Sequence, residues 1–496
     1  MKFWTTDKVR VAAGGSWIAR APQGEIELNG LSTDTRSIRP GQAFLALRGD
    51  RHDGHAYLRD AVNAGAALLI IDRPEVVPPG VGGSGGTGAG SGVFSRPVAI
   101  IKVADTGRAL LKMAGVYRKT LSRTRVIAVG GSNGKTTTTR LIDTLLATKL
   151  RGTASQKSFN NAVGVPLTIL SASGSDQYLI CEVGTNAPGE IGMLAEVIEP
   201  EVAVITSIGR EHLEGLSTLE GVAREEAQIL TYLRPGGLAV VTADAPQLAE
   251  HLRCVPNVVT FGRSDKADLR LTGVEHVTSA DGRVSLRFTV NDRQTCTLPM
   301  IGEHNALNAL AALAVARRLG ISEGVIGDAL AAATAPAMRL ERVNICGIEV
   351  INDAYNANPE STIAAVRTLA SLGANAKRRI AVLGDMLELG AAAPDAHREV
   401  AQAVLDAGNI DKVVIVGHLG LYTAERLARD WAYGRYVLES DLDAGQAKNV
   451  AALFEPGDLV LLKGSRRMRL ERVLEALRER VGTTAGCAGT IRPAVA

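Results

Sequence analysis

At 496 residues, with 46% apolar and 22% charged side chains, the chain has room for about three cores at roughly 150 residues each, and its composition excludes wholesale disorder. A formal net charge of +3, without a long Lys/Arg run interleaved with aromatics, argues against a nucleic-acid partner. The cysteines Cys181, Cys254, Cys296, Cys346 and Cys487 are scattered and never spaced as CxxC, which argues against a zinc site and for a reducing compartment. The start carries no long apolar core and no apolar run reaches about 18 residues, so neither a signal peptide nor membrane insertion is expected, and a cytoplasmic location is.

Residues 1–122 read as a smaller N-terminal α/β domain containing the polar signature STDTRSIRPGQAFLALRGDRHDGH and the strand-like ALLIID. Residues 78–92, PPGVGGSGGTGAGSG, are too glycine-rich to pack and read as a loop inserted in that domain. Residues 123–337 form a central domain that opens on RVIAVGGSNGKTTTTR, a strand, a glycine turn and a helix start. It continues with YLICEV, VAVITSI and LAVVTA, short buried runs spaced as in a mostly parallel sheet. LRLTGVEHV, VSLRFTV and TCTLPM follow as an antiparallel patch, and HNALNALAALAVARRLG has helical periodicity. Residues 338–481 alternate again, with VINDA, RIAVLGD, VVIVG, RYVL and DLVLLKG as strands of a Rossmann-like doubly wound unit. Residues 482–496 have no period and read as a disordered tail. The expected fold is thus α/β in three domains, with a P-loop ATPase at the centre.

The glycine turn is a phosphate cradle. Gly130, Gly131 and Gly134 let backbone amides curl around phosphate oxygens, and the helix beginning near Lys135 directs its positive end at the anion. Lys135 can reach β- and γ-phosphates, and the Thr136 hydroxyl can ligate Mg²⁺. Val129 stands where the general pattern has its first glycine, so the loop is one residue short when counted from Gly130. Glu182, at the end of YLIC, is placed where a carboxylate faces a crevice and can take a metal. His212 occupies the corresponding place one strand later, where pattern alone favours a hydrogen-bonded loop histidine over a ligand.

GGSNGKTTT, SFNNAVGVP, EVGTNAPGE, HLEG, HNALNALAA, DAYNANPES, LGDMLELG and KGSRRMRLERV, in that order, resemble the Mur ligase family over nearly the whole chain apart from the insertion and the tail. The resemblance implies an ATP-dependent amide ligase that phosphorylates the carboxylate of a UDP-sugar peptide and lets a dipeptide amine displace the phosphate. UDP-N-acetylmuramoyl-tripeptide and D-alanyl-D-alanine are the implied partners, ATP and two Mg²⁺ ions the implied cofactors, and a monomer is expected. No enzyme nucleophile is needed; positioning and charge neutralisation suffice.

Carried residue by residue, the resemblance makes Lys135 the phosphate lysine, with Ser132, Asn133 and Thr137 completing the loop. It makes Thr136 and Glu182 ligands of the first Mg²⁺ and His212 a ligand of the second. Asn305 would meet adenine or ribose with Asn308 in support, and Arg339 would swing onto the γ-phosphate. Asp353 and Tyr355 resemble ribose and adenine contacts, with Asn356 and Asn358 nearby. On the acceptor side Asp385 and Glu388 sit where loop groups bind a dipeptide or cap a helix, and Lys463, Ser465 and Arg466 form a carboxylate-binding corner. Arg467, Arg469 and Arg472 are expected on a solvated face. Ser32, Asp34, Arg36, Asp53 and His55 match positions that hold the UDP part, and Asn160 and Asn161 those near the UDP-muramoyl group.

One position departs from the pattern. Most family members place a carbamylated lysine after HLEG that presents its carboxylate to the second metal, and Glu226 stands there in this chain. Glutamate is shorter, so a bridging water between Glu226 and the metal is expected, together with activity independent of bicarbonate. Competing readings are another Mur-type or folate-polyglutamylating ligase, and an ATP-binding homologue made inactive by the change at Glu226. A GTPase lacks an NKxD-like signature here, and a dinucleotide oxidoreductase would not carry Lys-Thr in its glycine turn.

Overall fold

Apolar runs of four to seven residues, buried on both faces, set the frame, because parallel strands covered on both sides must be apolar throughout. The computed structural model describes residues 3–21, 23–49, 52–78, 98–156, 158–280, 282–373, 375–432 and 434–482. The expected insertion beyond Pro78 and the expected tail beyond residue 482 lie outside the described residues. The chain divides into two compact units that interleave along the sequence: Met1–Ala128 with Leu150–Gly184 and Gly192–Glu201, and Val129–Lys149 with Thr185–Ile191 and Val202–Ala496.

In the first unit a five-stranded sheet runs in the order Ser16–Ala19, Ala99–Lys102, Leu68–Ile71, Ala43–Leu45, Leu31–Ser32, with only the Ser16–Ala19 edge antiparallel. Leu69 and Ile71 alternate onto one face with Phe44 and Ile100, where helix Leu58–Asn63 covers them through Leu58 and Ala61. Helix Thr106–Thr120 starts on Asp105, whose carboxylate accepts the Arg108 amide, and runs to the fully buried Arg118. Arg118 donates to Ile198 O at 2.7 Å and Glu199 O at 2.9 Å, satisfying carbonyls where helix Glu190–Ile198 ends. Gly152–Ala154 pairs in parallel with Tyr178–Glu182.

In the second unit Val202–Ile205, Leu238–Thr242 and Val258–Gly262 pair in parallel, as expected from their burial on both faces. Leu269–Thr278, Val284–Val290 and Gln294–Leu298 form the expected antiparallel meander. Helix His304–Arg318 is buried almost all round, and its alanines let it lie close against helix Lys135–Ala147. The C-terminal sheet has the order Glu341–Ile345, Ile348–Asp353, Asp458–Lys463, Arg378–Gly384, Lys412–Val416, Tyr436–Glu439. Its first pair is antiparallel and the rest are parallel. Strand Asp458–Lys463 returns between two strands already laid down, so the chain reverses direction across the sheet there, and ligands of doubly wound sheets bind outside the carboxyl ends of such strands.

The edge strand Glu341–Ile345 is additional to the sequence reading. Cys346 and Gly347, with φ of 49° and 81°, close a two-residue hairpin of the primed type, and the β-bearing Cys346 is an uncommon residue for the first position.

Candidate active site

Strand Arg125–Gly130 ends in a loop whose glycines are required by contact rather than by composition. Gly131 has φ 110°, and a Cβ there would lie 2.3 Å from Thr206 Oγ1. Gly134 has φ 88°, and its Cβ would lie 2.2 Å from Asn308 Oδ1. The loop is laced to the segment after strand Val202–Ile205: Thr206 Oγ1 donates to Asn133 O at 2.6 Å, the Asn133 amide donates to Ser207 Oγ at 2.8 Å, and the Gly209 amide donates to Ser132 Oγ at 2.9 Å. Helix Lys135–Ala147 starts from Gly134 with no side-chain cap, the condition under which first-turn amides take an anion.

Charge gathers beneath this loop. Lys135 Nζ donates to Gly131 O at 2.6 Å and Ser132 O at 3.2 Å and lies 3.6 Å from Glu211 Oε1. Glu226 is wholly buried, and its Oε2 accepts the Gly131 amide at 2.6 Å. Burial pushes the Glu226 carboxyl up to about 7 against the pull of Lys135, and burial likewise raises Glu211. Buried Glu226 Oε1 has no hydrogen-bond partner among the described residues, which suits a cation better than an apolar core; in the first unit the same holds for Glu182 Oε2. No three His, Cys, Asp or Glu side chains converge as a metal-holding group among the described residues.

His212 adopts a left-handed backbone, φ 51°, at the start of Leu213–Leu216. Its Nδ1 lies 2.6 Å from Glu388 Oε2 and its Nε2 3.8 Å from Glu211 Oε2. Burial lowers the His212 pKa, but the Glu388 hydrogen bond and the Glu211 charge outweigh it and leave the imidazole raised. A histidine held by a carboxylate through Nδ1 presents Nε2 outward, the orientation of a metal ligand. Glu388 thus holds His212 in this structure.

Arg339 donates to Thr136 Oγ1 at 2.8 Å, and its guanidinium stacks 4.3 Å from the Tyr355 ring centroid. The structure thus brings Arg339, Tyr355 and the phosphate loop together. Other expected contacts are committed within the protein. Asn305 donates to Ile301 O at 2.8 Å and accepts from Asn308 at 3.0 Å, and this buried pair backs Gly134. Asp353 pairs with the buried Lys463 at 2.8 Å, and Lys463 donates to Asn356 O at 2.8 Å. Asn358 caps helix Pro359–Ser371 in a capping box with Ser361 and donates to Asn133 Oδ1 at 3.0 Å. Asp385 is buried and accepts the Gly420 and Leu419 amides at 2.8 and 3.2 Å, at the start of a helix.

A small cleft of about 60 Å³ opens where the loops after strands Ile348–Asp353, Arg378–Gly384 and Asp458–Lys463 meet the 211–212 segment. Asn356, Asn358, Glu388, Ser465 and Arg466 line it, as do Glu211, His212 and Arg467. Arg467 is exposed, as expected, but it stands at the rim of the cleft on the short 3-10 turn Arg466–Met468 and not on the face of a long helix.

In the first unit Asp34 binds Arg36 through Nε at 2.9 Å, and this pairing holds the Asp34 carboxyl down at about 2. Ser32 Oγ takes the Asp34 amide at 3.2 Å. Buried His55 sits between Asp53 at 2.8 Å and Asp72 at 3.2 Å, and Asp53 also pairs with Arg73. Asn160 donates to Glu182 Oε1 at 3.0 Å, fixing the carboxylate, while Asn161 accepts the Gly164 amide at 2.9 Å to start a helix.

Three stretches of the chain match known domains: residues 27–114 the Mur ligase family catalytic domain, 129–316 the Mur ligase middle domain and 338–466 the Mur ligase glutamate ligase domain. The UDP-N-acetylmuramoyl-tripeptide--D-alanyl-D-alanine ligase of Bacillus subtilis (strain 168) is 35% identical over 457 residues, 91% of this chain and 93% of the relative. The chain belongs to the Mur ligase family. A crystal structure of MurF from Acinetobacter baumannii superposes with a TM-score of 0.81 at 28% identity, covering 96% of this chain and 99% of that one. MurF ligase from Thermotoga maritima in complex with ADP gives 0.74 at 26% identity, covering 91% and 98%.

Two residues of this Mur ligase escaped sequence reading. Glu211 reaches Lys135 and lines the cleft, and only its adjacency to His212 could have flagged it. Arg210 binds Glu360 and Glu399, partners 150 and 189 positions away that no local pattern reveals.

Proposed function

We propose that this Mur ligase joins D-alanyl-D-alanine to UDP-N-acetylmuramoyl-tripeptide at the expense of ATP, in cytoplasmic peptidoglycan precursor synthesis. The observation that carries the reading is the 35% identity with a ligase of that name over 91% of the chain, with a lysine-bearing phosphate loop inside the aligned fold. The γ-phosphoryl group passes to the tripeptide carboxylate, giving an acyl phosphate and ADP; the dipeptide amine then attacks the acyl carbon and phosphate leaves.

Each step asks for placement and charge neutralisation. Lys135, folded onto Gly131 O and Ser132 O, is within reach of the β- and γ-phosphates once the loop amides take them up. Arg339, fixed by Thr136 and stacked on Tyr355, supplies positive charge where the phosphoryl group moves. In the second unit Thr136 Oγ1, His212 Nε2 and the unpartnered Glu226 oxygen are donors that would hold Mg²⁺, which would neutralise charge on the transferring phosphate; Glu182, in the first unit, offers an unpartnered carboxylate oxygen of its own. Arg466, Arg467 and Ser465 suit the dipeptide carboxylate, with the loop at Asn356 beside them. The 1–122 segment takes the UDP part through Ser32, Asp34 and Arg36, the 123–337 segment the nucleotide, and the 338–481 segment the acceptor. The described cysteines are unpaired, which supports a reducing compartment, and we take the working form to be a monomer.

Phosphate release with ATP, UDP-N-acetylmuramoyl-tripeptide and D-alanyl-D-alanine, each omitted in turn, tests the reading. Release should need all three and be matched by pentapeptide in the mass spectrum; release without ligation product would overturn it.

A further inference from the structure

We propose that Arg210 is a positioning residue that seats the helices Pro359–Ser371 and Ala393–Ala407 against the phosphate loop. Its guanidinium serves two carboxylates from different helices. The Arg210 amide and Nε donate to Glu360 at 3.1 and 2.7 Å, while its two terminal nitrogens donate to Glu399 at 3.0 and 2.6 Å. A lone half-exposed ion pair contributes little. Here bidentate geometry and a shared cation change the balance, because without Arg210 the two glutamates keep no other ion-pair partner among the described residues.

The seam continues directly into the loop. Gly209, the preceding residue, exchanges hydrogen bonds with Ser132, and a Cβ on it would come 3.3 Å from both Asn133 Nδ2 and Glu360 Oε2. Asn358, the cap of the first helix, donates to Asn133 Oδ1 at 3.0 Å. Arg210 thereby fixes the register between the loop that takes nucleotide and the Asn356–Asn358 turn that borders the cleft. It touches no nucleotide-binding group itself, so it acts through helix placement. The kinetic consequence rests on the ligase reading; the seating does not.

Full-length Arg210→Ala and Arg210→Lys, followed by hydrogen exchange and phosphate release, test this. In Arg210→Ala, amides of 359–371 and 393–407 should exchange at least about fivefold faster while the first unit is unchanged. The same variant should lower kcat at least about tenfold and change the nucleotide Kd, titrated without acceptor, by less than about threefold. Arg210→Lys should fall between, since an ammonium lacks the fork that spans both carboxylates. Glu399→Gln should reproduce part of the exchange effect. Unchanged exchange in both helices overturns the proposal, as does acceleration spread evenly over the chain, which is general destabilisation. A wild-type protein that makes no pentapeptide would defeat the ligase reading and leave the exchange result decisive for the seating.

Discussion

Glu226 Oε2 accepts the Gly131 amide at 2.6 Å from a wholly buried position under the phosphate loop. An acid directly beneath an anion cradle is tolerable because Lys135 lies in the same field, and it ties the charge state of one side chain to the shape of the loop.

Lys135→Ala should reduce phosphate release at least about a thousandfold and also lower the melting temperature, since it removes the cation facing the buried Glu211 and Glu226 carboxyls. Steady-state kinetics beside a thermal melt measure both, and retained turnover would contradict the assignment.

Raised from its ordinary 4.5 to about 7, the Glu226 carboxyl binds more proton folded than unfolded between those values. Its contribution to stability is full below 4.5 and lost as pH rises through 7. Glu226→Gln keeps an acceptor for Gly131 and removes the titration. In metal-free buffer the variant should gain about 2–4 °C on wild type between acid and alkaline conditions. Parallel melting curves would count against it.

Because a carboxylate is already present at Glu226, activity should be the same in carbon-dioxide-depleted buffer and with added bicarbonate. Strong stimulation by bicarbonate would show that a modified lysine elsewhere is required.

Arg118→Ala removes the donor of the buried Ile198 carbonyl and of the half-buried Glu199 carbonyl. A loss of about 2 kcal/mol is expected, chiefly from the buried Ile198 carbonyl, read from the urea midpoint at constant slope. A shift under about 0.5 kcal/mol would mean the carbonyls find other donors.

Burial pushes the Cys181 thiol up to about 12, while Cys254 is exposed. Iodoacetamide at neutral pH should label Cys254 in the folded protein and reach Cys181 only after denaturant, as peptide mass mapping would show.

The parallel strands were legible because burial on both faces writes itself as an unbroken apolar run, as in LVLL within Asp458–Lys463. The phosphate loop was legible for a similar reason: its glycines, Lys135 and Thr136 are contiguous and each answers a local demand. Strand Glu341–Ile345 was missed because Cys346-Gly347 lacks the asparagine or aspartate that usually announces such a turn. The internal partners of Asn305 and Lys463 were not legible, since a polar side chain looks the same in sequence whether or not it bonds Ile301 O or Asp353.

By itself, then, the sequence determined the α/β class, the anion cradle and the family, all of which rest on periodicity or on residues close together in the chain. Tertiary structure alone decided which polar groups are committed to one another. Gly131 meets Glu226 across 95 positions, and Thr136 meets Arg339 across 203. Such pairings depend on the sheet order and on desolvation around each group, and neither is encoded in any short stretch of residues.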